Sequence, residues 1–405
     1  MTNRIVATPL FLVVSLYGIF LLANTMLFVL RSSSAEWWLG DAVIYNGVDQ
    51  ELHISAFLSF LAYWCIFFSV SCFLFLKKGR VMEKINLPFI FILLVLFFLF
   101  QIYSALEYGL GVASSTGSVQ NPLFYLLIIF SFDAFYYVYA VSEKNKSRYL
   151  IATLLFAISN IIRGWAGFII PLLLVVFLRR RSFSRKMSCV LIIFFILAIP
   201  LLLLLREYFR GGSSYFSLLQ ASGVSGVELY SEYFVYVLVS MLSRLDFYSN
   251  FIGISQMASF IESSNICVPI QENIIHKAFI LAGLSNECTS LGSALPSFLY
   301  DFFSGRGTSF AVGSGFMALP LSSLVYYLTS YMAVLLGTGL YVATSARYLE
   351  FKCIFVFLVA FLLFQGWMYQ FVYNFIGFLL AISLVRLRSV FVTSVIPKAE
   401  NMERV

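Results

Sequence analysis

Ten apolar runs recur along this chain, near residues 8–30, 54–76, 86–106, 121–141, 149–163, 165–178, 187–205, 318–342, 353–370 and 372–385. About 20 such residues cover the roughly 30 Å of hydrocarbon in a bilayer. Backbone placed there must satisfy its own hydrogen bonds, which leaves helices as the simple solution. Composition agrees, because 61% of residues are hydrophobic and only 11% charged, whereas soluble domains run near a quarter charged. The pattern predicts an all-α polytopic membrane protein of ten transmembrane helices. The apolar stretch from Tyr233 to Leu242 would raise that to eleven or twelve if it also crosses. Residues 1–405 are expected to form one integral membrane domain, with a short hairpin turn at 164–167 and one large loop at 206–317.

Charge orients the spans, because Lys and Arg in short loops stay on the cytoplasmic side. With the N-terminus inside, 19 of the 26 cations fall on cytoplasmic segments, in clusters such as Lys77, Lys78, Arg80 and Lys84, or Arg179, Arg180 and Arg181. The outside keeps Arg31, Arg163, Arg206, Arg210, Arg244, Lys277 and Arg306, with 13 of the 19 acids. The net charge of +7 therefore reads as anchoring against anionic lipid. No basic stripe with interleaved aromatics points to nucleic acid. The first span is long and continuous, so it reads as a retained helix and not a cleaved leader.

Cys65, Cys72, Cys189 and Cys353 fall inside apolar runs and behave as small hydrophobes. Cys267 and Cys288 both lie in the large outside loop, where disulfides form and persist. They are expected to pair, closing a loop worth about 3 kcal/mol of local order. His53 and His276 have no second His or Cys at ligand spacing, and the outside acids form no D-x-D cluster. No metal or other cofactor is expected.

The outside arginines run against the charge bias, and each asks for a reason. Arg206 and Arg210 stand one helical turn apart before Gly211 and Gly212, which puts both guanidiniums on one face. Planar guanidinium forks bind phosphate oxygens in pairs and stay charged. The plainer account is snorkelling to phospholipid headgroups. Arg163 is different, because the runs on either side of it are only about 22 Å long at 1.5 Å per residue. The turn Arg163-Gly164-Trp165-Ala166-Gly167 should therefore lie below the headgroups, where a cation is costly unless it meets a cavity or a partner.

Among the acids, Asp133 stands alone deep within a run and is expected to pair with a polar group on a neighbouring helix. Glu228 and Glu232 share a helical face in the large loop, followed by Arg244 and Asp246. A carboxylate that deprotonates an acceptor hydroxyl would look like Glu232 or Asp246. Spacing does not choose between them.

Ten spans, the short hairpin bearing Arg163-Gly164, and the large loop bearing Arg206, Arg210, Arg244 and Arg306-Gly307-Thr308-Ser309 together resemble the Wzy-type O-antigen polymerases. The resemblance covers the chain in architecture and rests on no diagnostic short motif. It implies a fold similar to the multispan GT-C-type glycosyltransferases, in the bacterial inner membrane, with both termini cytoplasmic and the active site facing the periplasm. It also implies transfer of a growing glycan from one undecaprenyl diphosphate to the terminal sugar of another lipid-linked repeat unit. Donor and acceptor are then both undecaprenyl-diphosphate-linked oligosaccharides, with membrane lipids and a chain-length regulator protein as further partners. In that role Arg163, Arg206, Arg210, Arg244 and Arg306 clamp the diphosphate, whose leaving charge fixed cations stabilise without a metal. Glu232 or Asp246 supplies the base.

Two other functions fit a multispan chain. O-antigen ligases carry a histidine followed by asparagine late in the large loop, whereas His276 is followed by Lys277. Flippases and other transporters show similar half-chains with short loops, whereas this chain has one lopsided loop.

Overall fold

The computed structural model describes residues 4–6, 8–32, 37–39, 42–44, 48–76, 79–109, 131–180, 182–184, 220–221, 223–243, 245–263, 283, 288 and 313–395. Its helices in chain order are α1 (Pro9–Arg31), α2 (Gln50–Phe75), α3 (Pro88–Tyr108), α4 (Phe132–Ser142), α5 (Lys146–Ile162), α6 (Ile169–Arg180), α7 (Gly226–Ser243), α8 (Tyr248–Ser263), α9 (Leu321–Ser345), α10 (Leu349–Leu358) and α11 (Met368–Val395). The strands are three-residue pieces: β1 (Arg4–Val6) pairs antiparallel with β4 (Ser182–Ser184), and β2 (Trp37–Leu39) with β3 (Ala42–Ile44). Among the described residues, five stretches are long and apolar enough to cross a membrane: Pro9–Arg31, Gln50–Phe75, Pro88–Tyr108, Ser323–Ser345 and Gln370–Leu387.

Local signals start the helices. Thr8 accepts from the Phe11 amide at 3.1 Å, with Pro9 at the first helical position of α1. Asp49 accepts from Leu52 at 2.8 Å to open α2, and Asn145 accepts from Arg148 at 3.1 Å to open α5. Each such oxygen satisfies an amide that has no partner within its helix. With 23, 26 and 21 residues, α1, α2 and α3 run about 32 to 39 Å. The 11 residues of α4 and 17 of α5 give only about 16 and 25 Å.

Segments distant in sequence gather at each end of the helices. At the end carrying β1, Arg80 donates to the Arg347 carbonyl at 2.8 Å and accepts from Leu349 at 2.7 Å, while Ile85 donates to the Ser142 carbonyl and accepts from the Lys144 amide, both at 2.9 Å. Fully buried Glu143 accepts from the amides of Leu87 and Asn145 at 3.0 and 2.7 Å. The Arg179 guanidinium donates to the carbonyls of Ala140 and Glu143 and lies 4.0 Å over the Tyr149 ring. Close approach here needs Gly79, where a Cβ would lie 2.7 Å from the Leu349 nitrogen.

At the opposite end the turn between α7 and α8 dips among the helices. Asn24 of α1 holds it, donating to the Leu245 carbonyl at 2.7 Å and accepting from the amides of Phe247 and Tyr248 at 2.8 and 3.1 Å. Phe247 then packs between Phe20, Phe60 and Phe364, with ring centroids 5.2 to 6.2 Å apart.

The last expected spans, 353–370 and 372–385, are broken differently. α10 continues as a π turn (Val359–Leu363), the chain reverses at 364–367, and α11 begins at Met368. Gly366 permits the reversal at φ 89°, a region closed to most side chains. Tyr63 and Tyr331 donate to the carbonyls of Phe364 and Gly366 at 3.0 and 2.6 Å. Since Tyr63 stands 13 residues into α2, this tip lies about 20 Å from the start of that helix. The hairpin turns inside the bundle, ahead of the break expected after residue 370, because apolar residues on both sides of the turn carry hydropathy past it.

Candidate functional site

α4 and α5 form a hairpin joined by a three-residue turn, Glu143-Lys144-Asn145. Ser131 caps α4 by accepting from Ala134 at 3.3 Å, which sets Asp133 in its first turn. The far end of α5 closes with Gly164 at φ 72°. There Gly164 donates to the Ile161 carbonyl at 2.9 Å and Trp165 to Asn160 at 2.9 Å, a Schellman closure. Arg163 is the residue just before that glycine. An acid thus sits at one helix's N-terminus and a cation at the other's C-terminus, each where the helix dipole favours it.

The two meet. Arg163 Nη2 lies 3.1 and 3.3 Å from the two oxygens of Asp133 and 3.0 Å from Asn160 Oδ1, while Nε donates to the Ser159 carbonyl at 3.3 Å. Ser159 Oγ donates to Gln101 Oε1 of α3 at 2.7 Å. Because Gln101 stands 13 residues into α3, this polar cluster lies about 20 Å along a helix of about 32 Å. The Arg163 side chain is 10% exposed and Asp133 26%. Among the described residues, Nη1 of Arg163 has no hydrogen-bond partner and the Asp133 carboxylate has none besides Arg163. A charge pair at this depth is costly, and its open edge is where a ligand would meet it.

Next to this pair, α11 packs on the start of α4. Ser131 Oγ donates to Asn374 Oδ1 at 2.6 Å, and a Cβ on Gly377 would lie 2.4 Å from the Ser131 carbonyl oxygen. Substitution at Gly377 would therefore push on the helix end that carries Asp133.

Asp246 sits elsewhere, at the α7–α8 turn. Its Oδ2 is 2.5 Å from Arg31 Nη1 at the end of α1, and both oxygens accept from Ser249, at 3.2 Å from the amide and 2.8 Å from the hydroxyl. The side chain is 1% exposed. Burial pushes this carboxyl above its ordinary range, against the opposing pull of Arg31 and Ser249. Asp246 is spent on anchoring the turn and capping α8. Glu232 is exposed on α7.

The other expected phosphate ligands, Arg206, Arg210, Arg244 and Arg306, lie outside the described residues, as does Cys267. Cys288 is disulfide-bonded. Among the described residues no three His, Cys, Asp or Glu side chains converge as metal ligands do. Sequence reasoning marked Arg163 and Asp133 separately but did not join them, and it missed Asn160, Ser159 and Gln101. Counting outward from the α4–α5 turn at 1.5 Å per residue puts Asp133 about 15 Å along and Arg163 about 27 Å along, so the arginine's long side chain reaches back to meet the acid.

Comparison of the chain with family models, curated proteins and solved structures returns no match.

Proposed function

We propose that this chain is a polytopic inner-membrane glycosyltransferase that polymerises undecaprenyl-diphosphate-linked O-antigen repeat units on the periplasmic face, with Arg163 as a diphosphate anchor. The observation that carries the reading is the open Nη1 edge of a buried arginine, beside the N-terminus of α4. Both the guanidinium and the helix dipole favour an anion there. Breaking a glycosyl-diphosphate bond leaves negative charge on the pyrophosphate, which a preorganised cation stabilises in a low-dielectric site. The reaction asks for no metal.

The orientation gains support from the way loops gather. Segments carrying Arg4, Arg80, Lys84, Lys144, Arg179 and Arg347 share one end of the helices, and the positive-inside bias makes that end cytoplasmic. Arg31 and Asp246 then meet at the periplasmic end. In this reading Asp246 holds the α7–α8 turn, and exposed Glu232 is the acid available to take the acceptor proton. Arg206, Arg210, Arg244 and Arg306 complete the clamp from the large loop.

A second reading, a lipid-linked oligosaccharide flippase, draws on a different observation. A buried ion pair and a helical hairpin that turns inside the bundle both suit a substrate pathway. Deleting the gene and running the lipopolysaccharide on a gel separates them. A polymerase deletion yields core capped by a single repeat unit. A ligase deletion yields bare core with long lipid-linked chains behind it, and a flippase deletion bare core without them; either would overturn the proposal.

A further inference from the structure

We infer that Asp133 and Arg163 bind a glycosyl phosphate as one unit, the guanidinium taking a phosphate oxygen and the carboxylate a hydroxyl of the sugar attached to it. The inference rests on the proposed function and adds Asp133 to the donor site as the residue that reads the sugar. The pair has two open sides. Arg163 presents Nη1, because Nε is held by the Ser159 carbonyl and Nη2 by Asp133 and Asn160. Asp133 is the more exposed member, and its oxygens have acceptor sites left beyond the single nitrogen they share.

Charge makes the point sharper. For a bare diphosphate, an acid beside the arginine is a repulsive element and weakens binding. For a sugar phosphate the same acid gains a charge-assisted hydrogen bond from a hydroxyl, and a sugar ring carries hydroxyls within a few ångströms of its phosphate. Rigid supports hold the two groups in register: the Ser131 cap and Asn374 on the acid's side, and the Gly164 closure on the arginine's. Asp133 thus discriminates in favour of a phosphate that still bears its glycan. After transfer, the bare lipid diphosphate faces the carboxylate and is released.

The test measures affinity of the full-length protein in nanodiscs for farnesyl diphosphate and for farnesyl diphosphate esterified with one hexose or one N-acetylhexosamine. Asp133→Asn should bind farnesyl diphosphate as tightly as wild type or tighter, and at least one sugar ester about tenfold more weakly. Arg163→Gln should lose all three ligands. If Asp133→Asn weakens bare and sugar-bearing ligands alike, or neither, the carboxylate is structural and the inference fails while the diphosphate anchor stands. If wild type and Arg163→Gln bind farnesyl diphosphate equally, the diphosphate anchor itself fails. Should Asp133→Asn not fold, Asp133→Glu keeps the charge but shifts it by one methylene. It should retain farnesyl diphosphate and lose the preference for the sugar esters, and an undiminished preference overturns the inference.

Discussion

Arg163 and Asp133 stand thirty residues apart in sequence and 3.1 Å apart in space, at facing ends of two short antiparallel helices. Neither helix spans the bundle, and that shortness is what brings the charges inside. The pair is held from both sides, by Asn160 and the Ser159 carbonyl on the arginine and by the capped start of α4 on the acid.

Breaking the pair from one side should be costly. Asp133→Leu leaves Arg163 buried without its counter-charge, and the expected loss is about 3 kcal/mol or more. The exchanged pair Asp133→Arg with Arg163→Asp should recover only part of that stability in detergent thermal unfolding, because each charge then opposes its helix dipole. It should not recover glycan chain growth, because the cation then lies on the wrong helix. Full activity in the exchanged protein would reduce Arg163 to a structural partner.

Gly164 tests the same site through the backbone. At φ 72° an alanine pays about 1–2 kcal/mol of left-handed strain and loosens the closure that aims Arg163. Gly164→Ala should therefore depress chain growth far more than it lowers the unfolding temperature. A protein that loses a few degrees and no activity would show that the aim of Arg163 is unimportant.

Much of this was legible in the chain. The long apolar runs of α1 to α3 and the shortness of α5 follow from local sequence, whereas the caps at Thr8, Asp49 and Asn145 came only with the structure. The depth of Arg163 was legible from the length of the runs flanking it. Its partner was not, because which faces of α4 and α5 meet is decided by their packing against α3 and α11. Arg31 and Asp246 are separated by 215 residues, and no local signal joins them. The reversal at 364–367 falls within the expected span 353–370, because Leu362 and Leu363 precede it and Met368 and Phe371 follow, so hydropathy runs through it and puts the break at 371 instead.

The turn between α7 and α8 has its own signature. Arg31→Ala strands a fully buried carboxylate and should release the turn, seen as lost hydrogen-exchange protection at Phe247 and Tyr248. Asn24→Ala should do the same by removing the acceptor of both amides. Unaltered protection in both variants would show that the turn is held by its aromatic packing alone.

Acidification should not open that turn. Burial raises the Asp246 carboxyl above its ordinary value, so the folded protein takes up this proton before the unfolded chain does. The group's contribution to stability is then lowest and flat above the raised pKa, and grows as pH falls toward the ordinary value near 3.9. Protection at Phe247 and Tyr248, corrected for intrinsic exchange, should hold or rise from pH 7 to pH 5. Asp246→Asn should abolish any such rise, and a fall in the wild type would mean that the Arg31 attraction outweighs burial.

The most direct measurement reconstitutes the purified protein in liposomes with lipid-linked repeat units and resolves the products by size. Wild type should generate a ladder of lipid-linked chains, and Arg163→Ala, inserted at equal amount, should leave single repeat units. A wild-type protein that builds no chains, or an Arg163→Ala protein that builds them as well as wild type, would contradict the account.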